Sequence, residues 1–338
     1  MNSRQRVLRT FHFQSTDRPP CDLMEGILWQ ELKDYFYNAY NYTTPEQIIE
    51  HFDPDFRWVV MNQGWDRTIK IGDVSYKPTW GAAIGPLADI SYNDILKLKI
   101  LDIEKFVSSN FQELRIKHPD KALVFCPGWI PLFWSACDAF GSEEALIKMI
   151  NEPKIFNAFL NILHEESMEV IKNGIEHAKG TLDILCLGDD FASQQSMIIS
   201  PESWRKFIKP LLAKQVRLAR ESGLLVMYHS CGAVRPILND LIEIGINALS
   251  VFQTNANGMD AESISGEFGG ELAFYGGIDV QHLLCYGTVE EIQNSVTHNI
   301  KAFEKCGGYI VANAHCGIPE IKGENLEIMF DSAKNHFY

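Results

Sequence analysis

Short apolar runs rich in β-branched and aromatic residues alternate with long amphipathic stretches from about residue 120 onward. This alternation is typical of β–α units around a parallel sheet, because strands that are covered on both faces read as continuous apolar runs. The runs predict strands at 122–128, 182–188, 224–229, 246–252, 272–277 and 309–314.

The amphipathic stretches between these runs predict helices, and two of them begin with recognisable caps. Ser200, Pro201 and Glu202 place a cap, a proline at the first helical position and an early acid in order. The sequence Asn-Glu-Pro at 151–153 is similar. The predicted helices span 143–150, 153–179, 202–222, 235–245, 289–306 and 323–336.

The first 120 residues are less regular but supply the missing strands. The segments 21–24 (CDLM) and 57–61 (RWVVM) predict two more strands, which brings the total to eight. Helices are expected at 27–38, 45–51 and 103–117, and the alternation in 65–95 predicts a β-hairpin excursion. We therefore predict a single (β/α)8 TIM barrel domain over residues 1–338 with an N-terminal elaboration.

A doubly wound open sheet is the alternative arrangement of the same elements. It would require a glycine-rich phosphate loop between a strand and a helix. The glycine pairs at 269–270, 276–277 and 307–308 lack the GxGxxG spacing and do not open helices. The barrel is therefore favoured.

The acidic composition narrows the classes of partner. Of the 338 residues, 46% are hydrophobic and 22% charged, with a formal net charge of −14. Such a surface repels phosphate backbones and anionic lipid, so neither nucleic acid nor a membrane is an expected partner. The polar, arginine-bearing N-terminus does not resemble a signal peptide, and a cytoplasmic location is expected.

Polar and metal-binding residue types collect where the predicted strands end. Reactive groups of a barrel lie at the carboxyl ends of its strands, so these residues are the candidates for chemistry. The candidate residues are Glu25, Trp129, Asp189, Asp190, His229, Cys231, Gln253, Asp279, His315 and Cys316.

A metal site is predicted from the pair His229 and Cys231 together with the distant Cys316. Most of the eight cysteines lie inside apolar runs, as small buried hydrophobic residues do, but Cys231 and Cys316 follow predicted strands. One imidazole and two thiolates suit Zn²⁺ and leave a fourth position open. His315 is the alternative to Cys316; the cysteine is preferred because residues 314–315 are expected to continue the alternating strand.

The aspartates and aromatic residues suggest how a substrate would be handled. Asp189 and Asp190 are expected to orient substrate, to act as general acid and base, or to cap the next segment of the chain. Asp279 has the same candidate role, with an Asx turn as the alternative. Glu25, Trp129, Tyr228 and Gln253 are predicted to contact the substrate, and the aromatic residues suit a small aromatic molecule.

At these residues the sequence resembles the uroporphyrinogen decarboxylase superfamily, and within it the zinc-dependent methyltransferases that act with corrinoid proteins. The resemblance implies a (β/α)8 barrel with zinc bound by His229, Cys231 and Cys316. The segments that carry it are SRQRVLRTFHFQSTDRPP, GDDFASQQSMIISPESWRKFIKP, YHSCGAVRPIL, YGGIDVQ and AHCGIP.

Two departures from the family pattern shape the functional hypothesis. The decarboxylase branch has an arginine-rich N-terminal motif, and no RQPGR-like run is present. Related thiol-activating enzymes supply a glutamate to zinc from the strand after the His-x-Cys pair, where this chain has Gln253.

The resulting hypothesis is methyl transfer between a small substrate and the cobalt of a corrinoid (cobalamin) carried by a partner protein. An aromatic methyl ether is placed slightly ahead of a methylated amine or thiol as the substrate. The alternatives are a metal-free decarboxylase and a non-catalytic barrel that binds a metal or a small ligand.

Overall fold

The computed structural model describes residues 1–60, 69–71, 74–76, 83–98, 110–128, 130–316 and 318–338. The strands are Phe56–Val60 (β1), Ile69–Ile71 (β2), Val74–Tyr76 (β3), Ala122–Cys126 (β4), Ile184–Gly188 (β5), Leu225–His229 (β6), Ala248–Phe252 (β7), Ala273–Ile278 (β8) and Tyr309–Asn313 (β9).

Parallel strands follow one another around the sheet in the order β1-β4-β5-β6-β7-β8-β9. The segment Pro20–Asp22 closes the gap between β9 and β1. The N–H of Val311 donates to Pro20 O (2.9 Å), the N–H of Asp22 donates to Val311 O (3.0 Å), and the N–H of Asp55 donates to Cys21 O (2.9 Å). A minimal eighth strand therefore occupies the place predicted for 21–24, and the predicted (β/α)8 barrel is confirmed.

Helices surround this sheet. They are Ser3–Phe11 (α1), Gln30–Tyr40 (α2), Pro45–Phe52 (α3), Tyr92–Ile95 (α4), Asn110–Lys117 (α5), Leu132–Phe140 (α6), Ser142–Asn151 (α7), Pro153–Ala178 (α8), Pro201–Phe207 (α9), Lys209–Glu221 (α10), Leu238–Ile244 (α11), Ala261–Phe268 (α12), Leu283–Tyr286 (α13), Val289–Phe303 (α14) and Gly323–Lys334 (α15).

The predicted helix at 202–222 is divided into α9 and α10. The break lies at Ile208, and Pro210, which has no N–H to donate, stands in the first turn of α10. The sequence did not predict α1, α4, α6, α12 or α13. In α6 all residues except Trp134 are buried, so no polar face marks it as an amphipathic helix.

The amino-terminal face of the barrel is plugged by α1. Val7 and Phe11 enter the cluster of side chains that fills the barrel interior. Arg6 and Arg18 both donate to the fully buried carboxylate of Asp55, at 2.6 and 2.9 Å, immediately before β1. These two N-terminal arginines therefore stabilise the closed end of the barrel, opposite the carboxyl ends of the strands.

The hairpin of β2 and β3 is antiparallel and lies inside the predicted excursion at 65–95. The remainder of that excursion falls partly outside the described residues, as does the predicted site residue Trp129. Within the described ranges, none of the helices combines the length and apolar character needed to cross a membrane.

Candidate functional site

His229 is the last residue of β6, and the turn after it brings Cys231 back beside it. The Cys231 Sγ lies 3.6 Å from His229 Nε2. Gly232 makes this turn with φ +86°, and a Cβ there would lie 2.4 Å from Ser193 O. Only glycine combines that left-handed backbone with so close an approach. The predicted His-x-Cys pair therefore converges on one point at the carboxyl end of the barrel.

Asp190, two residues beyond the end of β5, completes a three-donor cluster. Its Oδ1 accepts the N–H of Cys231 at 2.8 Å and lies 3.8 Å from His229 Nε2. The three ligand atoms all lie within 4.8 Å of one another. We call Asp190, His229 and Cys231 the three-donor cluster.

The geometry and chemistry of this cluster fit Zn²⁺. Tetrahedral zinc with one nitrogen and one sulfur ligand separates those two atoms by about 3.5 Å. The separation of 3.6 Å between His229 Nε2 and Cys231 Sγ agrees with this value. Imidazole, thiolate and carboxylate are all zinc ligands in proteins, so the residues present match the metal that the sequence predicts.

Cys316 is not part of the three-donor cluster. Its Sγ lies 3.2 Å from Nδ1 of the neighbouring His315. Burial lowers the pKa of His315, but hydrogen bonds to Cys231 and Cys316 outweigh burial and raise it to about 11. The expectation that residues 314–315 continue the strand was wrong, because β9 ends at Asn313 and bends follow it. His315 therefore lies in contact with both thiols.

His229 is held by a carboxylate on its other side. Its Nδ1 lies 2.6 Å from Glu25 Oε1, and both side chains are largely buried. Burial lowers the pKa of His229, but the charge of Glu25 and hydrogen bonds to Cys231 and Glu25 outweigh it, so the pKa lies well above its usual range. Glu25 was predicted to contact substrate; the structure brings it to His229, the histidine of the three-donor cluster.

The adjacent aspartates Asp189 and Asp190 face different surroundings. Asp189 accepts the N–H groups of Phe133 (2.6 Å) and Trp134 (3.1 Å) at the start of α6. Burial raises the pKa of Asp189 to about 7, although these two hydrogen bonds act in the opposite direction. Of these two aspartates, which with Asp279 are the predicted catalytic residues, Asp190 joins the three-donor cluster, whereas Asp189 caps the start of α6.

Three other predicted residues lie outside the three-donor cluster. Gln253 Oε1 accepts the N–H of Gly232 at 2.7 Å and so supports the turn after Cys231. Asp279 accepts the N–H groups of residues 281–283, which is the Asx-type arrangement considered as its alternative. Tyr228 is buried on the outer face of the sheet, where its ring stacks on Phe191 with centroids 6.4 Å apart.

A buried polar group inside the barrel was missed by the sequence analysis. Asp22 is fully buried, and its Oδ2 accepts from Trp58 Nε1 at 2.8 Å and from the Tyr275 hydroxyl at 2.9 Å. Burial raises the pKa of Asp22 to about 8. The available signal was an acid inside the apolar run CDLM, which is unusual unless the acid is paired.

The chain is similar in sequence to a known protein family and to several characterised proteins. A family model described as uroporphyrinogen decarboxylase (URO-D) matches residues 93–336. Methylcobamide:CoM methyltransferase MtaA of Methanosarcina barkeri is 24% identical over 204 residues, which is 60% of this chain and 55% of that protein. The corresponding MtbA of Methanosarcina mazei is 26% identical over 184 residues, 54% and 48% of the two chains.

The chain thus spans about half the length of the curated relatives that it matches. Among solved structures, a methyltransferase from Methanosarcina mazei superposes with a TM-score of 0.68 at 17% identity. That superposition covers 99% of this chain and 98% of the other. Similarity at this level of identity supports the barrel fold alone.

Proposed function

The chain belongs to the uroporphyrinogen decarboxylase family, and we propose that it is a zinc-dependent methyltransferase. In this proposal it moves a methyl group between a small substrate and the cobalt of a corrinoid protein. The observation that carries the proposal is the three-donor cluster at the mouth of the barrel. The curated relatives named above are methylcobamide:CoM methyltransferases, and their names describe the same class of transfer.

The position of the N-terminal arginines supports methyl transfer over decarboxylation. A porphyrinogen with several carboxylates needs basic groups at the mouth. Arg6 and Arg18 instead bind Asp55 at the opposite face, while Glu25 and Asp190 stand at the mouth. The described acidic groups there would repel such a substrate.

We propose His229, Cys231, Asp190 and Cys316 as the residues that hold the zinc. When bound there, the metal would supply Lewis-acid chemistry at a heteroatom of the substrate. Asp190, one quarter exposed and hydrogen-bonded to the Cys231 N–H, is the donor that substrate can replace. Asp189 and Asp279 hold loops, and Gln253 supports the turn at Gly232.

Methyl ethers, methylamines and methylated thiols are the candidate substrates, and we place an aromatic methyl ether first. The partly buried indole of Trp58 packs beside Gly26, next to Glu25, and is the aromatic ring that supports this choice. Gln253 is neutral where a thiol-activating relative would carry an acid. Of the corrinoid partner, only the cobalt is specified in the proposed reaction.

The first test of the proposal is the zinc content of the purified protein and of alanine variants at positions 229, 231, 190 and 316. We expect one zinc in the native protein and loss of zinc in Cys231→Ala. Cys306→Ala is the matched control, since Cys306 is also a half-buried cysteine but lies before β9, at the opposite end of the barrel. A native protein without zinc, or unchanged zinc in Cys231→Ala, would contradict the metal site.

The second test offers cob(I)alamin with a panel of methyl ethers, methylamines and methyl thioethers. We expect the methyl-cobalt absorption spectrum to appear with at least one donor class, and to be lost in Cys231→Ala but not in Cys306→Ala. A zinc-loaded protein that methylates cob(I)alamin from none of the donors, and that demethylates methylcobalamin with no thiol, would refute methyl transfer.

A further inference from the structure

The His229 imidazole is held between two acids that contact different ring nitrogens. We propose that Glu25 is a positioning residue, whose carboxylate accepts the Nδ1–H of His229 and so directs the Nε2 lone pair into the metal site. The proposal rests on the proposed function, because it concerns the zinc of that site. It assigns Glu25 a role other than the substrate contact expected from its place at a strand end.

The two ring nitrogens of His229 have separate surroundings. Nδ1 lies 2.6 Å from Glu25 Oε1, whereas Nε2 lies 3.6 Å from Cys231 Sγ and 3.8 Å from Asp190 Oδ1. A neutral imidazole carries one N–H and one lone pair. A ring that donates from Nδ1 therefore presents the Nε2 lone pair to the three-donor cluster.

Burial makes this contact effective. The side chains of His229 and Glu25 are only 9% and 13% exposed, so water does not compete strongly for either. A hydrogen bond to a carboxylate is stronger than one to a neutral acceptor. Metal-binding histidines in general donate their second N–H to a carboxylate or carbonyl, which fixes the tautomer and the ring orientation.

The backbone of Glu25 is held in an unfavourable conformation that aims its side chain at His229. Glu25 has φ 52° and ψ 21°, a left-handed conformation that is unfavourable for a residue with a Cβ. Its own N–H donates to the Tyr275 hydroxyl oxygen at 3.1 Å, and the preceding N–H of Met24 donates to Asn313 Oδ1 at 3.0 Å. Side chains of β8 and β9 therefore hold the segment that carries Glu25.

The hydroxyl that supports Glu25 is itself fixed. Tyr275 is fully buried, and its hydroxyl donates toward Asp22 Oδ2 at 2.9 Å. Asp22 also accepts from Trp58 Nε1 at 2.8 Å. A chain of buried hydrogen bonds thus runs from the barrel interior to Glu25, and from Glu25 to the metal-binding histidine.

The test compares metal binding in Glu25→Ala and Glu25→Gln with the native protein. Zinc affinity is measured by competition with a chelator, and the ligand field by the visible spectrum of the cobalt(II)-loaded protein. We expect zinc affinity to fall about 10–100-fold in Glu25→Ala, the usual effect of removing such a partner, with an altered cobalt spectrum. Glu25→Gln should recover part of the affinity, because its amide oxygen still accepts from Nδ1–H.

Glu31→Gln is the matched control, since Glu31 is exposed in the first turn of α2, six residues along the same segment. It should match the native protein in both measurements. If Glu25→Ala does not fold, as judged by circular dichroism, the comparison between Glu25→Gln and Glu31→Gln carries the test.

Two results would overturn the proposal, and they are distinguishable. Unchanged zinc affinity and cobalt spectrum in the Glu25 variants, with a raised KM for the methyl donor, would make Glu25 a substrate contact while the proposed function stands. A native protein that does not bind zinc would overturn the proposed function and the positioning role together.

Discussion

The buried Asp22 is expected to make the native protein less stable as the pH rises, and replacing Asp22 with asparagine should abolish this loss. Asp22 is fully buried and accepts hydrogen bonds from Trp58 and Tyr275 through Oδ2. Its Oδ1 has no hydrogen-bond partner within the described part of the chain. Desolvation raises its pKa to about 8, so the folded protein holds Asp22 as a neutral acid at pH 7.

The sign of the effect follows from the two protonation states. In the unfolded chain this carboxyl ionises near its ordinary pKa of 3.8, whereas in the folded protein it ionises near 8. The folded state therefore binds the extra proton, and stability is lost as the pH rises between these values. From pH 5 to pH 8 the free energy of unfolding should fall by about 4 kcal/mol, at 1.4 kcal/mol per pH unit.

Asp22→Asn removes this pH dependence, because asparagine does not titrate and its carbonyl still accepts from Trp58 and Tyr275. The unfolding entropy is about 0.7 kcal/mol per degree for 338 residues. A loss of about 4 kcal/mol between pH 5 and pH 8 should therefore lower the thermal midpoint of the native protein by about 6 °C relative to that of the variant. The assay is thermal unfolding of both proteins at pH 5 and pH 8 at constant ionic strength.

Asp17→Asn is the control for this experiment. Asp17 is partly exposed, and its hydrogen bond with Arg6 lowers its pKa, so it is ionised in both states across this pH range. Its effect on the unfolding midpoint should therefore not change between pH 5 and pH 8. If the difference in unfolding midpoint between the native protein and Asp22→Asn is also independent of pH, Asp22 is ionised in the folded protein and the reasoning is refuted.

Two further predictions concern the closed end of the barrel and the turn at its mouth. Asp55→Asn leaves Arg6 and Arg18 without their buried counter-charge. In a urea titration the free energy of unfolding should fall by about 3–5 kcal/mol, with the zinc content unchanged. A loss below about 1 kcal/mol would contradict the role of these ion pairs. Gly232→Ala should cost about 1–3 kcal/mol and weaken zinc binding, because its Cβ would meet Ser193 O at 2.4 Å; native zinc affinity would contradict this account of the turn.

The sequence was sufficient to predict the barrel and the His-x-Cys pair because both depend on local patterns. The apolar runs marked the strands within one or two residues, and His229 and Cys231 follow one of them. Asp190 was recognised as one of two adjacent acids, but which of Asp189 and Asp190 faces the mouth depends on where β5 ends. That is a boundary, the feature that patterns predict least well.

Contacts across the barrel were beyond prediction for a different reason. Glu25 and His229 are far apart in the chain and meet only because Pro20–Asp22 closes the sheet between β9 and β1. The left-handed backbone that aims Glu25 at His229 has no signature in a glutamate. Such a pair requires the closed barrel, in which every register is already fixed.

The number of sulfur ligands on the proposed zinc would decide whether Cys316 is one of them. Its Sγ contacts His315, on a bend beyond the end of β9 where no ladder fixes its direction. Because thiolate is a stronger zinc ligand than carboxylate, we expect X-ray absorption spectra to give two sulfur ligands in the native protein and one in Cys316→Ala.

Asp190→Asn should retain both sulfurs, because it changes only the oxygen donor. One sulfur in the native protein, unchanged in Cys316→Ala, would instead limit the zinc ligands to the three-donor cluster. The count also bears on the substrate. Two thiolates make the metal electron-rich and favour a soft sulfur donor, whereas the neutral Gln253 favours a methyl ether, so the donor panel decides between these two substrate classes.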